Sequence, residues 1–202
     1  MTAPVPAAAG PRVSDADLRA VTEQLGRPVR SVHEVAHRCG CGQPDVVQTL
    51  PQLPDGTPFP TMYYLTCPRA TSAIGTLEAQ GVMRQMAARL GQDPELAAAY
   101  RGAHEAYLAE RERLGHVERI AGVSAGGMPD RVKCLHVLVA HALAAGPGVN
   151  PLGDEALALL AEDGRTPDAA WGGSAQGCVA SPAPTAGPDP DATGPGPGAQ
   201  GS

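Results

Sequence analysis

VHEVAHRCGCGQPDVVQTLPQLPDGTPFPTMYYLT, residues 32–66, decides the fold. Three short β-favouring runs, Val32/Val35, Val46/Val47 and Met62 to Leu65, are separated by Gly40 to Pro44 and by Pro51 to Pro60. β-Branched and aromatic runs of this length, bounded by glycine and proline, predict strands. In Leu53-Pro54-Asp55-Gly56-Thr57 the proline and the Asp-Gly pair are placed for a tight reversal. The stretch predicts a small antiparallel meander.

Helical periodicity flanks it on both sides. Upstream, Ser14 reads as an N-cap, Asp15 and Asp17 fall in the first turn, and Leu18, Val21 and Leu25 share a face. Gly26 and Pro28 stop that helix. Downstream, 71–90 carries Ile74, Leu77, Val82, Met86 and Leu90 near one face, with Gly75 and Gly81 as weak points. Pro94 suits the first turn of a helix reaching 114, with Leu96, Tyr100, Tyr107 and Leu108 along it. Its end, Glu110-Arg111-Glu112-Arg113, reads as a solvated ion-pair face. Helices over 129–145 and 154–161 follow. The fold class is therefore α+β: a small antiparallel β-meander packed against about four to five helices.

The chain has 202 residues, enough for one domain with appendages. Residues 1–11 are Ala/Pro-rich and are expected to be a disordered extension, 12–162 a single domain, and 163–202 a disordered Gly/Pro/Ala-rich tail. Trp171 and Cys178 fall in that tail and are assigned no function. The 43% of hydrophobic residues are mostly Ala, Val and Leu, with one Phe, one Trp and four Tyr, so large aromatic anchors are few. Lys133 is the only lysine. A net charge of −6 with no basic run argues against nucleic acid as partner. No apolar stretch approaches the length of about 20 residues that spans a bilayer, and Met1 to Gly10 lacks the pattern of a signal peptide. The expected setting is the cytoplasm, where five cysteines read as thiols, metal ligands or small buried hydrophobes before disulfides.

The most site-like stretch is 124–154. A helix over 129–145 would put Val132, Leu135, Leu138, Val139 and Ala142 on a buried arc. Asp130, Cys134 and His141 would share a second arc, with Lys133 and His136 on the remaining side. Gly126 and Gly127 in the preceding turn would let backbone amides approach a ligand, with the helix N-terminus, Arg131 and Lys133 favouring an anion. The spacing of a P-loop is absent, and Asp130 opposes a phosphate. Asn150 and Asp154 border the stretch. Cys134 and His141 lie seven residues apart, about 10 Å along a helix, too far for one metal ion. Neither His136 nor His141 stands at the helical spacing that would set it beside Cys134.

Cys39, Cys41 and Cys67 admit two readings. With Cys134 or a histidine they would complete a tetrahedral zinc site; otherwise they are buried thiols. Cys-x-Cys is less typical of zinc sites than Cys-x2-Cys, and both readings stand.

Residues 53–66 (LPDGTPFPTMYYLT), 125–136 (AGGMPDRVKCLH) and 148–154 (GVNPLGD) resemble an uncharacterised actinobacterial family, the domain of unknown function numbered 501. The resemblance covers about Val21 to Leu160. The family has no established activity and no assigned catalytic residues. Its members tend to be encoded near enolase, a septum-formation initiator and an exopolyphosphatase-like protein, which implies a role near cell division or phosphate metabolism. Two functions follow as expectations. One is a small ligand-binding or enzymatic domain with an anion-accepting site at Gly126, Gly127, Asp130, Arg131, Lys133, His136 and His141, bordered by Asn150 and Asp154. The other is a protein-interaction module, zinc-stabilised or metal-free, connected with cell division.

Overall fold

The structure is a computed structural model that describes residues 13–173. The expected extension over 1–11, Cys178 and the tail from 174 onward lie outside the described residues. Six α-helices and a three-stranded antiparallel sheet make an α+β domain, with one helix more than the sequence leads one to expect.

Helix α1 (Asp15–Leu25) begins at a capping box. The Ser14 hydroxyl accepts from the Asp17 amide, and the Asp17 carboxylate accepts from the Ser14 amide. It ends at Gly26 in the left-handed conformation. Strands β1 (Val32–Arg38), β2 (Pro44–Thr49) and β3 (Tyr63–Leu65) form the meander in sequence order. Arg38 grips Asp17 with two bonds of 2.7 and 2.9 Å, tying β1 to α1. The reversal at Leu53 closes through Gly56 N–H to the Leu53 carbonyl, with Gly56 at φ +84°. All six residues of β2 are buried because the strand is central and touches α1 on one face and α5 on the other.

The helix expected over 71–90 is two helices, α2 (Pro68–Ala79) and α3 (Val82–Leu90). Gly81 at φ +83° interrupts the helical path, so the weak point in the sequence is a break. Helix α4 (Pro94–Leu114) starts at Pro94 behind the Asp93 cap. Its end corrects the solvated-face reading. Glu110 does pair with Arg113, but Arg111 is fully buried and donates to the carbonyls of Ile120 and Val123 at 2.6 and 2.5 Å. Its charge fixes the 3-10 turn Glu118–Ile120 against α4.

Helix α5 (Leu135–Ala145) starts six residues later than 129–145. The amides of Arg131 and Lys133 donate backwards to the carbonyls of Gly127 and Gly126, at 2.9 and 2.8 Å. The second of these bonds spans seven residues, which closes a loop and forbids a helix through 129–134. Gly126 and Gly127 have φ of +71° and +97°, and side chains there would collide with Leu138 and with the Arg131 backbone. Close packing within the chain therefore accounts for both glycines. Helix α6 (Pro151–Glu162) starts earlier than 154 because Asn150 caps it, its Oδ1 accepting from Gly153 N–H at 3.0 Å.

Residues 163–173 also depart from the tail reading. Trp171 is buried and its indole N–H donates to the buried Asp45 carboxylate at 3.3 Å. The Pro167 carbonyl accepts from Gly40 N–H at 2.9 Å, covering the β1–β2 turn.

Helix α5 sits at the centre, in contact with β3, α2, α6, β1 and β2. Leu135, Leu138, Val139, Ala140 and Ala142 are all buried; Val132, the remaining member of the expected arc, is buried too but lies in the loop before α5. At its crossing with α6, Gly153 lies directly against the Leu138 carbonyl and the Ala142 methyl. A methyl group there must push the helices apart. Gly153→Ala is expected to destabilise the domain by about 3 kcal/mol, read as a lower denaturation midpoint with an unchanged m-value.

Candidate functional site

Two helix ends meet to build the site. Cys134 is the N-cap of α5, in extended conformation at φ −157° and ψ 111°. The extended cap frees its side chain from the helical face, so Cys134 and His136 come together although only two residues apart. Cys134 Sγ lies 3.8 Å from His136 Nδ1. This corrects the expectation that neither histidine stands beside Cys134, which assumed a helix already running through 134.

The third member is Glu78, in the last turn of α2. Its Oε1 accepts from the Leu135 amide at 2.7 Å and lies 3.2 Å from His136 Nδ1. The first amides of a helix have no partner within it. Glu78 supplies one and sets a negative charge at the positive end of α5. His136 Nε2 faces the Thr71 carbonyl at 3.1 Å. Both ring nitrogens therefore face acceptors: a backbone carbonyl on one side, a carboxylate and a sulfur on the other. That surrounding suits the doubly protonated imidazolium.

The electrostatics agree. The Cys134 sulfur, then the Glu78 charge, push the His136 pKa up to about 9 against the desolvation that lowers it. For Cys134, desolvation favours the neutral thiol. The hydrogen bond from His136 and the Val137 amide in the first turn outweigh it, and the thiol titrates below its ordinary range. The ligand atoms of Glu78, Cys134 and His136 all lie within 4.8 Å of one another.

Other expected site residues lie elsewhere. Asp130, Arg131 and Lys133 are exposed, and Asp130 stands 3.7 Å from Arg101. Arg131 contributes its carbonyl, which accepts from the Tyr100 hydroxyl at 3.1 Å. Asp154 accepts from Gly148 N–H at 2.8 Å and steadies the loop before α6. Asn150 and His141 are buried and bonded to each other at 3.2 Å.

The cysteines divide. The sulfurs of Cys39 and Cys41 are paired with each other. Their Cα atoms are 5.3 Å apart, and Gly40 between them lies against the Asp168 carbonyl, where a side chain would collide. In that form neither offers a thiolate to a metal. Cys67 is buried in the core at the N-cap of α2, and Cys134 belongs with Glu78 and His136.

Sequence reasoning missed Glu78. No local motif marks it, since it sits next to the core residue Leu77 on an ordinary amphipathic helix and its partners are more than 50 residues away.

The chain belongs to the family described as "Protein of unknown function (DUF501)", which matches residues 35–158. That span contains Glu78, Cys134 and His136. Comparison with curated proteins and with solved structures finds no significant match. Among the described residues, no helix is long and apolar enough to cross a membrane.

The raised pKa of His136 has a sign for stability. The group contributes stability that is fully present below its unfolded value near 6.5 and is lost as pH rises through about 9. Glu78→Gln is expected to lower stability by about 1 kcal/mol at pH 7. The gap to wild type should close in urea unfolding series carried above pH 9.

Proposed function

We propose that this member of a family of unknown function is a small enzymatic domain whose reactive group is the Cys134 thiolate. The observation that carries the reading is the contact of Cys134 with His136 at the N-terminus of α5, with Glu78 holding the imidazole from α2. A thiolate is the nucleophilic form of cysteine, and a neighbouring imidazolium both stabilises it and can return a proton to a leaving group. Cys134 is half-buried, so part of the residue remains accessible. The Gly126–Gly127 turn supports the reading indirectly, because it packs on α5 and sets where that helix begins.

In this reading the α5 N-terminus does accept an anion, but the anion belongs to the chain. The thiolate and the Glu78 carboxylate already occupy the positive end of the helix, so a phosphate would meet two negative charges. The favoured substrate is an uncharged or cationic electrophile. Attack forms a bond from Sγ to the electrophilic carbon, the departing group leaves with its electron pair, and His136 Nδ1–H supplies the proton.

A second reading rests on one further observation. Glu78, Cys134 and His136 offer a carboxylate, a thiolate and an imidazole close enough to converge on a single ion. Three protein ligands with a fourth position open is the arrangement of catalytic zinc sites.

Alkylation of Cys134 by iodoacetamide, followed by peptide mass spectrometry over pH 5–10, separates the two. The thiolate reading expects reaction to saturate below the ordinary thiol range, with His136→Gln slowing it about tenfold at pH 7. The zinc reading expects about one equivalent of metal in protein never exposed to chelator. Cys134 would then stay protected until the metal is removed. Ordinary thiol titration, unaltered by His136→Gln, would defeat the first reading.

A further inference from the structure

Arg69 and Arg165 carry charges that the described domain does not neutralise. Arg38, Arg89 and Arg113 each meet a carboxylate, at 2.7, 2.6 and 2.8 Å, and the buried Arg111 is met by two carbonyls. Arginines without such a partner elsewhere, such as Arg84 and Arg119, are exposed, and water solvates their charge. Arg69 and Arg165 are half-buried, yet neither side chain has a hydrogen bond or an ion pair among the described residues. Arg69 Nε is a fully buried donor with no acceptor. A guanidinium withdrawn from water without a counter-charge is costly, so the pair calls for an explanation.

Both arginines line one hollow of about 380 Å³, in the range of small-molecule sites, together with Ser72, Thr76 and Trp171. Helix α2 supplies Arg69, Ser72 and Thr76 from successive turns of one face. Residues 163–173 bring Arg165 and Trp171 to them. Gly172 lies beside the Arg165 stem, and Gly173 covers the Arg69 guanidinium so closely that a side chain would collide. Trp171 holds this segment in place. Its amide donates to the Thr166 carbonyl at 2.8 Å, and its indole N–H donates to Asp45 at 3.3 Å. Two guanidiniums from distant parts of the chain are thereby fixed at one opening. Their like charges repel, and an anion entering the hollow relieves both the repulsion and the desolvation.

The lining selects the kind of anion. No acidic residue borders the hollow, and the positive end of α2 adds to its potential. A planar guanidinium can meet two oxygens of a phosphate or a carboxylate at once. Two guanidiniums match the charge of about −1.5 to −2 that a phosphate monoester carries at pH 7, whereas a carboxylate answers only one of them. Ser72 adds a hydroxyl beside Arg69, and the ring of Trp171 offers an apolar wall.

We infer that this hollow binds a small phosphate monoester, its phosphoryl oxygens accepting from the guanidiniums of Arg69 and Arg165 and its body lying toward Trp171. None of Glu78, Cys134 and His136 lines the hollow, so the site is separate from the thiol and stands whether or not Cys134 is reactive.

Trp171 is the only tryptophan of the chain, so its fluorescence reports on the hollow directly. Phenyl phosphate titrated into the full chain at constant ionic strength is expected to change that fluorescence saturably, with a dissociation constant on the order of 1 mM for so small a ligand. Benzoate, which has the same ring but a single charge, should bind more weakly. So should inorganic phosphate, which has no body to place against Trp171. Arg69→Gln and Arg165→Gln should each weaken phenyl phosphate about tenfold, the loss of one charge-assisted interaction. Arg84→Gln, which removes an exposed arginine outside the hollow, should leave the affinity unchanged. The emission of Trp171 without ligand shows whether a variant keeps residues 163–173 in place; if Arg69→Gln shifts it, Arg165→Gln decides alone. No saturable response, benzoate or inorganic phosphate binding as tightly as phenyl phosphate, or undiminished affinity in a variant with unshifted emission would each overturn the inference.

Discussion

Helix α5 has no acidic or basic side chain other than its two histidines, and it is surrounded by the sheet, α2 and α6. A helix buried this way is stabilised by its leucines and valines, each worth about 2 kcal/mol when fully removed from water. The same burial cuts its polar groups off from solvent. The amides of its first turn and the buried ring of His141 call for partners inside the protein, because an unpaired buried polar group costs about 1–3 kcal/mol. Much of the surrounding chain answers that requirement. Glu78 reaches across from α2 to the Leu135 amide, and Thr71 turns a carbonyl toward His136. Asn150 caps α6 with one end of its amide and holds His141 with the other.

The two histidines end in opposite states for one reason each. His136 sits at the positive end of α5, yet carboxylate, sulfur and carbonyl acceptors surround it and outweigh that field. His141 lies between two tyrosine rings with an amide donor on Nδ1, and burial holds it neutral. One helix therefore carries a charged and a neutral imidazole five residues apart. The charged one can polarise a thiol and give up a proton. The neutral one can only offer a directed hydrogen bond.

Much of the frame was legible in the sequence. Ser14, Gly26 and Pro94 marked helix ends by local chemistry, and the Leu53–Thr57 reversal and the meander followed from turn residues and strand periods. The start of α5 was not, because Pro129 and Asp130 imitate a helix N-terminus. What defeats that signal is the bond from the Lys133 amide back to the Gly126 carbonyl, which spans seven residues and closes a loop. The misplaced start carried an error into the site, since a helical Cys134 points away from His136 whereas an extended one touches it. Glu78 and Arg111 were invisible for a different reason: each looks like an ordinary charged residue on a helix until the element it serves is placed beside it. Composition alone likewise could not reveal that Trp171 finds Asp45 across 126 positions.

The central claim is that the α5 N-terminus holds an imidazolium against a thiolate and a carboxylate. The protonation state of the His136 ring, read from its 15N chemical shifts across pH 6–10, addresses it directly. The account predicts both ring nitrogens protonated at pH 7.5, a midpoint near 9, and a fall in that midpoint when Cys134 is replaced by serine. A ring already neutral at pH 7.5, with a midpoint near 6.5 that Cys134→Ser leaves unmoved, would contradict it.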